Sequence, residues 1–340
     1  MRPFRHLIAA LCLTAALPAA AQDSGAGFAT FVQSLRARAI AEGVKPGTFD
    51  SVAPTLTYNP RVVELDRDQP GPSRPGTAIA PFAPYRDKHV DAARIGRGRT
   101  KYQQLRPLLS NIERQTGVPE SIMVAIWGHE TNYGSYTGDF DLLRSLATLA
   151  YDGRRRELFT EEFIATLKLL DKGFPRGTLK GSWAGATGYP QFLPSMYLRL
   201  GKDGDGDGKA DIWTSSADAL ASIGNYLTNA GWKPNTIWGI PVATPAGLNR
   251  DALKPKLLSP RCPRVHERHS HWKTVAEWKA LGLTALGRWP AEGELMALIE
   301  PDGQGATAYL LSTNYRAILD YNCSNFYALS VGLLADEVSR

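Results

Sequence analysis

Apolar residues recur every three to four positions along much of this chain, the spacing that lines one face of an α-helix. Gly173 and Gly231 should end two of these helices, and Ser215 or Ser216 should cap the one that ends at Gly231. The pattern predicts helices over 28–42, from 102 to about 117, over 118–130, over 157–170, over 217–230 and from 324 onward.

The pattern changes after Trp232. Two apolar runs, 295–300 and 306–311, flank a Pro-Asp-Gly-Gln-Gly turn, which is typical of a β-hairpin. We therefore expect a small β-rich insert in this part of the chain and a short extended piece over 317–321. Proline and glycine dominate residues 68–84, which predicts an extended surface strap.

Glu130 is the leading candidate for chemistry. At helical spacing it lies between Ile126, four residues back, and Met123, seven back. On that apolar side the carboxyl group should be partly desolvated, which raises its pKa and lets it act as a general acid near neutral pH. The alternative is a half-buried glutamate tied to an arginine. The neighbouring His129 is interpreted as a core histidine with satisfied hydrogen bonds.

The first 21 residues are typical of an export signal. Arg2 and Arg5 precede an apolar run over 7–17 that is too short to span a bilayer, and small residues follow it. Cys12 does not follow a small residue at a cleavage point, so we expect no lipid anchor. The sequence predicts a bacterial periplasmic protein without a transmembrane segment.

The net charge of the chain restricts the kinds of molecule that it is expected to bind. Removing the two arginines Arg2 and Arg5 from a chain of net charge +6 leaves +4. This modest basicity suits an anionic polymer, but it is too scattered to indicate nucleic acid binding.

Two cysteines, Cys262 and Cys323, remain after the signal peptide. In an oxidising compartment a disulfide between them is the simplest prediction, and two separate buried thiols are the alternative.

An acidic loop begins at residue 203, with aspartates at alternate positions and Gly208 at the sixth position for a sharp turn. Hard cations such as Ca²⁺ bind oxygen ligands at this spacing, including a backbone carbonyl at the seventh position. Thr214 occupies the twelfth position, where a standard EF-hand has glutamate, so Asp218 is the next carboxylate available. A solvated acidic turn is the alternative to a structural calcium site, and no organic cofactor is expected. The predicted ligands are Asp203, Asp205, Asp207, Lys209 and Asp218.

Several motifs occur in a fixed order along the chain. They are Gly-His-Glu-Thr-Asn-Tyr-Gly at 128–134, Ser-Leu-Ala-Thr-Leu at 145–149, an arginine pair at 155–156, Lys-Gly-Ser-Trp-Ala-Gly-Ala at 180–186, Gly-Tyr-Pro-Gln-Phe-Leu-Pro-Ser at 188–195, the acidic loop, and Tyr-Asn-Cys-Ser-Asn-Phe-Tyr-Ala at 321–328. Together they resemble the lytic murein transglycosylase B family, over nearly the whole mature chain.

The resemblance implies a mainly α (α+β) protein with a lysozyme-like catalytic core. The expected parts are a signal peptide over 1–21, an N-terminal helical region with the proline-rich strap over 22–105, the core with its metal loop at 203–218 over 106–240, the β-rich insert over 241–316, and a C-terminal motif and helix over 317–340 that pack back on the helical region.

The resemblance also implies cleavage of the β-1,4 bond between N-acetylmuramic acid and N-acetylglucosamine in peptidoglycan, leaving 1,6-anhydro ends. Ordinary glycosidases use two carboxylates. Here Glu130 would act alone, first giving a proton and then taking one, because the substrate supplies its own nucleophile. Asp139, Asp141 and Asp152 are interpreted as structural.

Further substrate contacts are implied by position in the family motifs. Arg155 and Arg156 resemble a pair that meets the carboxylates of the peptide stems, although a solvated basic turn is the alternative. Gln191 could instead bond nearby backbone, and Tyr226 could be a packed aromatic residue. The remaining positions expected to line the sugar cleft are Tyr85, Ser182, Tyr321, Asn322 and Tyr327.

Two other functions stay open at this point. A muramidase of the same fold would admit water and hydrolyse the same bond, whereas a non-catalytic protein would use the cleft only to bind peptidoglycan. In each case the expected partners are glycan strands and other cell-wall enzymes, and the expected state is a monomer.

Overall fold

The computed structural model describes residues 19–69, 80–255 and 261–340, with side chains from residue 25. Most of the predicted signal peptide and of the predicted strap lies outside the described residues. Within the described ranges the chain forms sixteen α-helices and seven strands. None of the helices in those ranges is long and apolar enough to cross a membrane.

Five helices form the N-terminal region. The predicted helix over 28–42 is confirmed as helical but is divided at Leu35. Its buried Phe28 and Val32 face the main apolar core. The five helices are α1 (Ala19–Ser34), α2 (Arg36–Ala41), α3 (Pro46–Val52), α4 (Pro60–Arg67) and α5 (Ala83–His89).

The next two helices correct the single helix predicted from 102 to 117. α6 (Ala92–Gln104) ends and α7 (Arg106–Thr116) begins on either side of Leu105. Pro107 explains the break, because proline has no N–H to donate and its ring clashes with the carbonyl four residues back. Gly117 adopts a left-handed conformation (φ 69°) and ends α7 as predicted.

The core continues with five helices and a short antiparallel pair of strands. The predicted helices over 157–170 and 217–230 are confirmed, and Ser215 caps the second through the backbone N–H of Asp218. Their bounds are α8 (Glu120–Thr131), β1 (Phe140–Asp141), α9 (Leu142–Asp152), α10 (Arg156–Asp171), β2 (Lys180–Gly181), α11 (Pro194–Leu200) and α12 (Ser216–Asn229).

The predicted β-rich insert is a five-stranded antiparallel sheet with its own small apolar core around Trp278. The predicted hairpin is confirmed, since Leu298 pairs with Leu310 across its two strands. The elements are β3 (Gly239–Ala243), α13 (Pro263–His266), β4 (Lys273–Thr274), α14 (Val275–Ala280), β5 (Thr284–Ala285), β6 (Leu295–Ile299) and β7 (Ala308–Leu311), in the sheet order β4-β6-β7-β3-β5.

Two helices close the chain. The extended piece predicted over 317–321 is wrong, because those residues form the second half of α15 (Thr313–Tyr321). The short segment Ala-Ile-Leu-Asp-Tyr does not distinguish strand from helix, and the capping Ser312 upstream decides the conformation here. α16 (Asn325–Val338) begins where the last helix was predicted, with Ser324 as its cap, and packs against α8, α6 and α5.

The predicted disulfide is present. Cys262 and Cys323 are bonded, with their Cα atoms 5.5 Å apart and 61 residues apart in sequence. It joins the start of α13 in the insert to the turn between α15 and α16.

Candidate active site

Glu130 lies in the last turn of α8, where the helix stops abruptly. Asn132 and Tyr133 both adopt left-handed backbone conformations, with φ of 50° and 60°. Gly128 permits the chain to fold back, because a Cβ at that position would lie 2.6 Å from the Tyr133 ring. The acid is therefore held at the end of a rigid helix, next to a tight reversal.

α8 differs from the one-sided helix that the sequence suggested. Nearly all of its residues from Ile122 to Gly128 are buried, so the helix runs through the core with no polar face. Desolvation of the Glu130 carboxyl group at the end of this helix raises its pKa to about 7, while a hydrogen bond from Tyr327 partly opposes the shift. The predicted direction of the shift and its predicted cause are confirmed.

The contacts of the Glu130 carboxyl group are few. The hydroxyl of Tyr327 donates to Glu130 Oε1 over 2.6 Å. Among the described residues no lysine or arginine nitrogen lies within 4.0 Å of it, so the ion pair of the alternative interpretation is not formed within this part of the chain. A carboxyl group with one neutral donor and a raised pKa can hold a proton near neutral pH and release it to a bound molecule.

Tyrosines from three separate segments surround this acid. The charge of Glu130 adds to burial in raising the pKa values of Tyr85, Tyr321 and Tyr327, which places their hydroxyls close to the carboxyl group. Tyr226 joins them through its ring, 4.7 Å from that of Tyr321, and donates to the backbone carbonyl of Asp320. The structure thus brings together four of the predicted cleft residues.

Two histidines beside this cluster were not predicted as site residues. His89 stacks on Tyr85 with ring centroids 3.8 Å apart, and His129 packs 5.7 Å from the Tyr327 ring. Burial lowers the pKa of His129 to about 3, so its ring is neutral beside the acid. The ring makes a hydrogen bond with the Ser330 backbone, whereas its Nε2 has no partner among the described residues, so the expected satisfied histidine is confirmed only in part. The four-residue spacing of Tyr85 and His89 in one helix could have revealed their contact.

Ser182 and Gln191 lie on the chain between β2 and α11. This segment is tied to the acid's helix because Thr131 donates from Oγ1 to the Tyr189 carbonyl over 3.0 Å. Gln191 donates to the carbonyls of Thr137 and Gly188, so the backbone contacts that the sequence allowed are made. Ser182 Oγ accepts from Ala186 N, and Tyr321 donates to Pro190 O.

Arg155 and Arg156, at the start of α10, both contact neighbouring side chains. Arg155 donates to the buried carboxylate of Asp66 over 2.6 Å, and its guanidinium lies 4.7 Å from the Phe159 ring centre. Arg156 lies 5.3 Å from the Phe31 ring centre. Both arginines are exposed at the turn ahead of α10, so the alternative of a basic surface turn stays open, and the ion pair with Asp66 anchors Arg155 there. Asn322, at the end of α15, is exposed.

The acidic loop gathers part of the predicted ligand set. One carboxylate oxygen from each of Asp203, Asp205 and Asp218 lies within 4.8 Å of the others. Asp218 is buried, and burial together with the charges of Asp205 and Asp203 raises its pKa. Like charges held this close favour a bound cation, so these residues fit a calcium ion.

The other two predicted ligands lie on the outer part of the same loop. Asp207 accepts the backbone N–H of Lys209 over 2.8 Å, which shapes the turn. Thr214, at the position of the missing glutamate, instead bonds Asp211. The sequence predicted that Asp218 would join the aspartates of the loop, and its carboxylate does lie beside those of Asp203 and Asp205.

Comparison with known proteins gives this geometry its context. Residues 27–336 match the sequence pattern of the family described as the Transglycosylase SLT domain. The chain belongs to this family. It is 30% identical over 292 residues to the membrane-bound lytic murein transglycosylase B of Escherichia coli K12, an alignment that covers 85% of this chain and 72% of that protein. The resemblance found in the sequence is confirmed.

Solved structures agree with this assignment. SltB3 from Pseudomonas aeruginosa, in complex with NAG-anhNAM-pentapeptide, matches with a TM-score of 0.81 and 38% identity over 92% of this chain and 79% of that one. Slt35 from Escherichia coli, in complex with calcium, matches with a TM-score of 0.72 and 25% identity over 93% of each chain. The lysozyme-like fold is confirmed, and the protein is a lytic transglycosylase that acts on peptidoglycan.

Proposed function

We propose that Glu130 is the single general acid and base of a reaction that leaves 1,6-anhydro-N-acetylmuramic acid ends. The observation that carries this proposal is its position, desolvated at a helix end among tyrosines, with a pKa of about 7. A carboxyl group with its pKa raised this far can be either protonated or ionised near neutral pH, so both roles of the residue are accessible there.

In the first step, protonated Glu130 gives its proton to the glycosidic oxygen as the bond from C1 of N-acetylmuramic acid breaks. The N-acetyl oxygen of the same sugar stabilises the positive charge at C1. In the second step, the carboxylate takes the proton from the sugar's 6-hydroxyl, whose oxygen bonds to C1. The acid is regenerated, and no water is consumed.

The surroundings support a single carboxylate. Asp141 pairs with Arg176 and Asp152 with Arg67, so both are engaged in ion pairs. Ordinary glycosidases need a second carboxylate as nucleophile or base, and these two groups are occupied elsewhere. The Tyr327 hydroxyl favours the first step, because it donates to the carboxylate that forms as the proton leaves.

The glycan strand would lie along the tyrosines and the neighbouring loop. Aromatic faces stack on sugar rings, and amide or hydroxyl groups recognise the N-acetyl substituents. Arg155 and Arg156 would meet peptide-stem carboxylates. The proposed lining of the cleft is Tyr85, Ser182, Gln191, Tyr226, Tyr321, Asn322 and Tyr327.

Product analysis tests the reaction. Mass spectrometry of digested sacculi should show muramic ends that lack one water relative to reducing ends. Reducing ends alone would identify the rival muramidase. A Glu130→Gln variant should retain glycan binding and lose turnover, whereas a non-catalytic binding protein would show no turnover even in the parent.

The acidic loop is proposed as a structural calcium site. Asp203, Asp205 and Asp218 would hold the ion, with Asp207 and the Lys209 carbonyl completing its oxygen ligands, and the bound charge would relieve their mutual repulsion. We further propose export to the periplasm as an unlipidated monomer, with the domain limits expected from the sequence and with other cell-wall enzymes as partners.

A further inference from the structure

A second groove, of about 870 Å³, lies between the β insert and the helices that carry the active-site tyrosines. Arg86 of α5 and Asp336 of α16 line it, whereas Tyr85 and Tyr327 on the same two helices lie beside Glu130. The groove is therefore on the other side of these helices from the acid. Its volume is in the range typical of ligand sites.

One wall of the groove is rigid. The buried side chain of Asn314 accepts from Lys233 N over 2.7 Å and donates to the carbonyls of Lys233 and Thr236. Ser312 donates to the carbonyl of Ile237, the next residue. The loop over 233–237 is thus held in one conformation by residues beneath it, so the groove is formed before any ligand arrives.

Large apolar side chains are exposed on this rigid rim. Ile237, in the loop over 233–237, is 42% exposed, and Leu286, which also lines the groove, is 57% exposed. Trp289 is half-buried between the groove and the core of the insert. Apolar side chains that are held exposed around a preformed concavity are typical of a binding site.

The polar groups of the groove indicate the charge of its ligand. Trp238 Nε1 donates to Asp336, and Glu294 has one buried oxygen without a partner among the described residues. The three basic and three acidic lining residues cancel, which favours contact with the uncharged hydroxyl and N-acetyl groups of a sugar chain over contact with its anionic peptide stems. The charged lining residues are Arg86, Arg288, Arg340, Glu294, Asp336 and Glu337.

We propose that this groove is a second glycan site, which binds a stretch of the peptidoglycan strand remote from the bond being cut. Tryptophan supplies a face for a pyranose ring, the rim covers its apolar C–H groups, and the paired charges bond its hydroxyls. The site would keep the enzyme on an insoluble substrate between cuts. The inference rests on the peptidoglycan activity of the family and not on the role of Glu130.

Gly287 offers a way to block the groove without disturbing the fold. A side chain there would meet no atom within 4 Å, and the same is true of Gly247, which does not line the groove. We expect Gly287→Leu, in a Glu130→Gln background, to bind purified sacculi about tenfold more weakly in co-sedimentation, and Gly247→Leu to bind as the background does.

Turnover separates this site from the active site. With Glu130 intact, Gly287→Leu should cleave a soluble GlcNAc-MurNAc tetrasaccharide at the parent rate, because such a short chain reaches only the catalytic cleft. Failure of the parent to form anhydro ends would count against the proposed reaction alone. Unchanged sacculus binding by Gly287→Leu would overturn the glycan site and would leave the groove to a protein partner.

A second pair of variants covers the case in which Gly287→Leu perturbs the insert. Trp289→Ala should weaken sacculus binding, whereas Trp272→Ala, a half-buried tryptophan of the same insert outside the groove, should not. Equal binding by the two tryptophan variants would also overturn the proposal.

Discussion

The end of α8 and the acidic loop use the same functional group in opposite environments. At Glu130, burial without an opposite charge raises the carboxyl pKa to about 7. At Asp203, the backbone N–H groups of Gly208 and Gly206 lower the carboxyl pKa instead. A carboxyl group prepared to exchange a proton therefore needs desolvation with few donors, and one prepared to hold a cation needs donors that keep it charged.

Asp218 shows both effects at one residue. It is as buried as a core residue, yet it accepts N–H groups from Gly204 and Asp211 at 2.8 and 2.6 Å. Burial raises the pKa of Asp218 more than these two hydrogen bonds lower it, and the charges of the nearby aspartates raise it further. The carboxylate that completes the cluster is thus the one that would gain most from a bound cation.

The largest expected effect is on catalysis. Glu130→Gln keeps the shape of the side chain and removes its proton, so release of anhydro products should fall by about 10²–10⁴-fold or more. Turnover of soluble substrate measures the loss. The exposed Glu161→Gln is the control, and an equal loss in both variants would contradict the special environment of Glu130.

The same substitution should raise stability at high pH. Because the pKa of Glu130 is about 7 in the folded protein and 4.5 unperturbed, the folded state holds a proton that the unfolded chain has lost between these values. The free energy of unfolding should therefore fall as the pH rises through this window, by at most about 3 kcal/mol. Because glutamine cannot ionise, the Glu130→Gln variant should not show this fall in the free energy of unfolding.

Denaturation of both proteins at pH 4 and pH 8 measures the difference. The variant should match the parent at pH 4 and exceed it at pH 8. A variant that is less stable than the parent at pH 8 would show that ionised Glu130 is well solvated, contrary to the comparison.

Removal of calcium should affect the loop and not the acid. A chelator should lower the free energy of unfolding by about 2–3 kcal/mol if the ion was present at a hundred times its dissociation constant, and added Ca²⁺ should restore it. Thermal melting provides the measurement. Asp218→Asn should abolish the response to the chelator, whereas a response that survives the substitution would place the ion elsewhere.

The smallest expected effect is a shift in the pH profile. Glu130 must be protonated to begin the reaction, so turnover should fall as the pH rises through about 7. The hydrogen bond from Tyr327 lowers the pKa of Glu130, so Tyr327→Phe should move this alkaline limb to higher pH. Tyr133→Phe, whose hydroxyl bonds the Arg94 carbonyl, serves as the control. If the alkaline limb of the profile does not move, the hydrogen bond from Tyr327 does not set the pKa of Glu130.

Sequence reasoning succeeded where local chemistry decides conformation. The helix ended by Gly117, the helix capped by Ser215 and the hairpin that pairs Leu298 with Leu310 all follow from short-range patterns. Local patterns did not predict the break at Pro107, and over 317–321 the short segment Ala-Ile-Leu-Asp-Tyr fits either conformation.

The site shows the same division. The sequence named Glu130 and the tyrosines, yet the partner of Arg155 is Asp66, 89 residues away, and nothing local indicates that pair. Likewise, Tyr327 reaches Glu130 across 197 residues. Contacts of this kind depend on how helices pack, which single-sequence periodicity does not specify.

By itself, then, the sequence determined which residues can cap, turn, bind a cation or carry a proton, because those properties belong to side chains and to spacings of a few residues. Only the tertiary structure decided that α8 is buried on every side and that Tyr327 is the donor to its acid. A pKa depends on everything within a few ångströms, and most of those neighbours are distant in the chain.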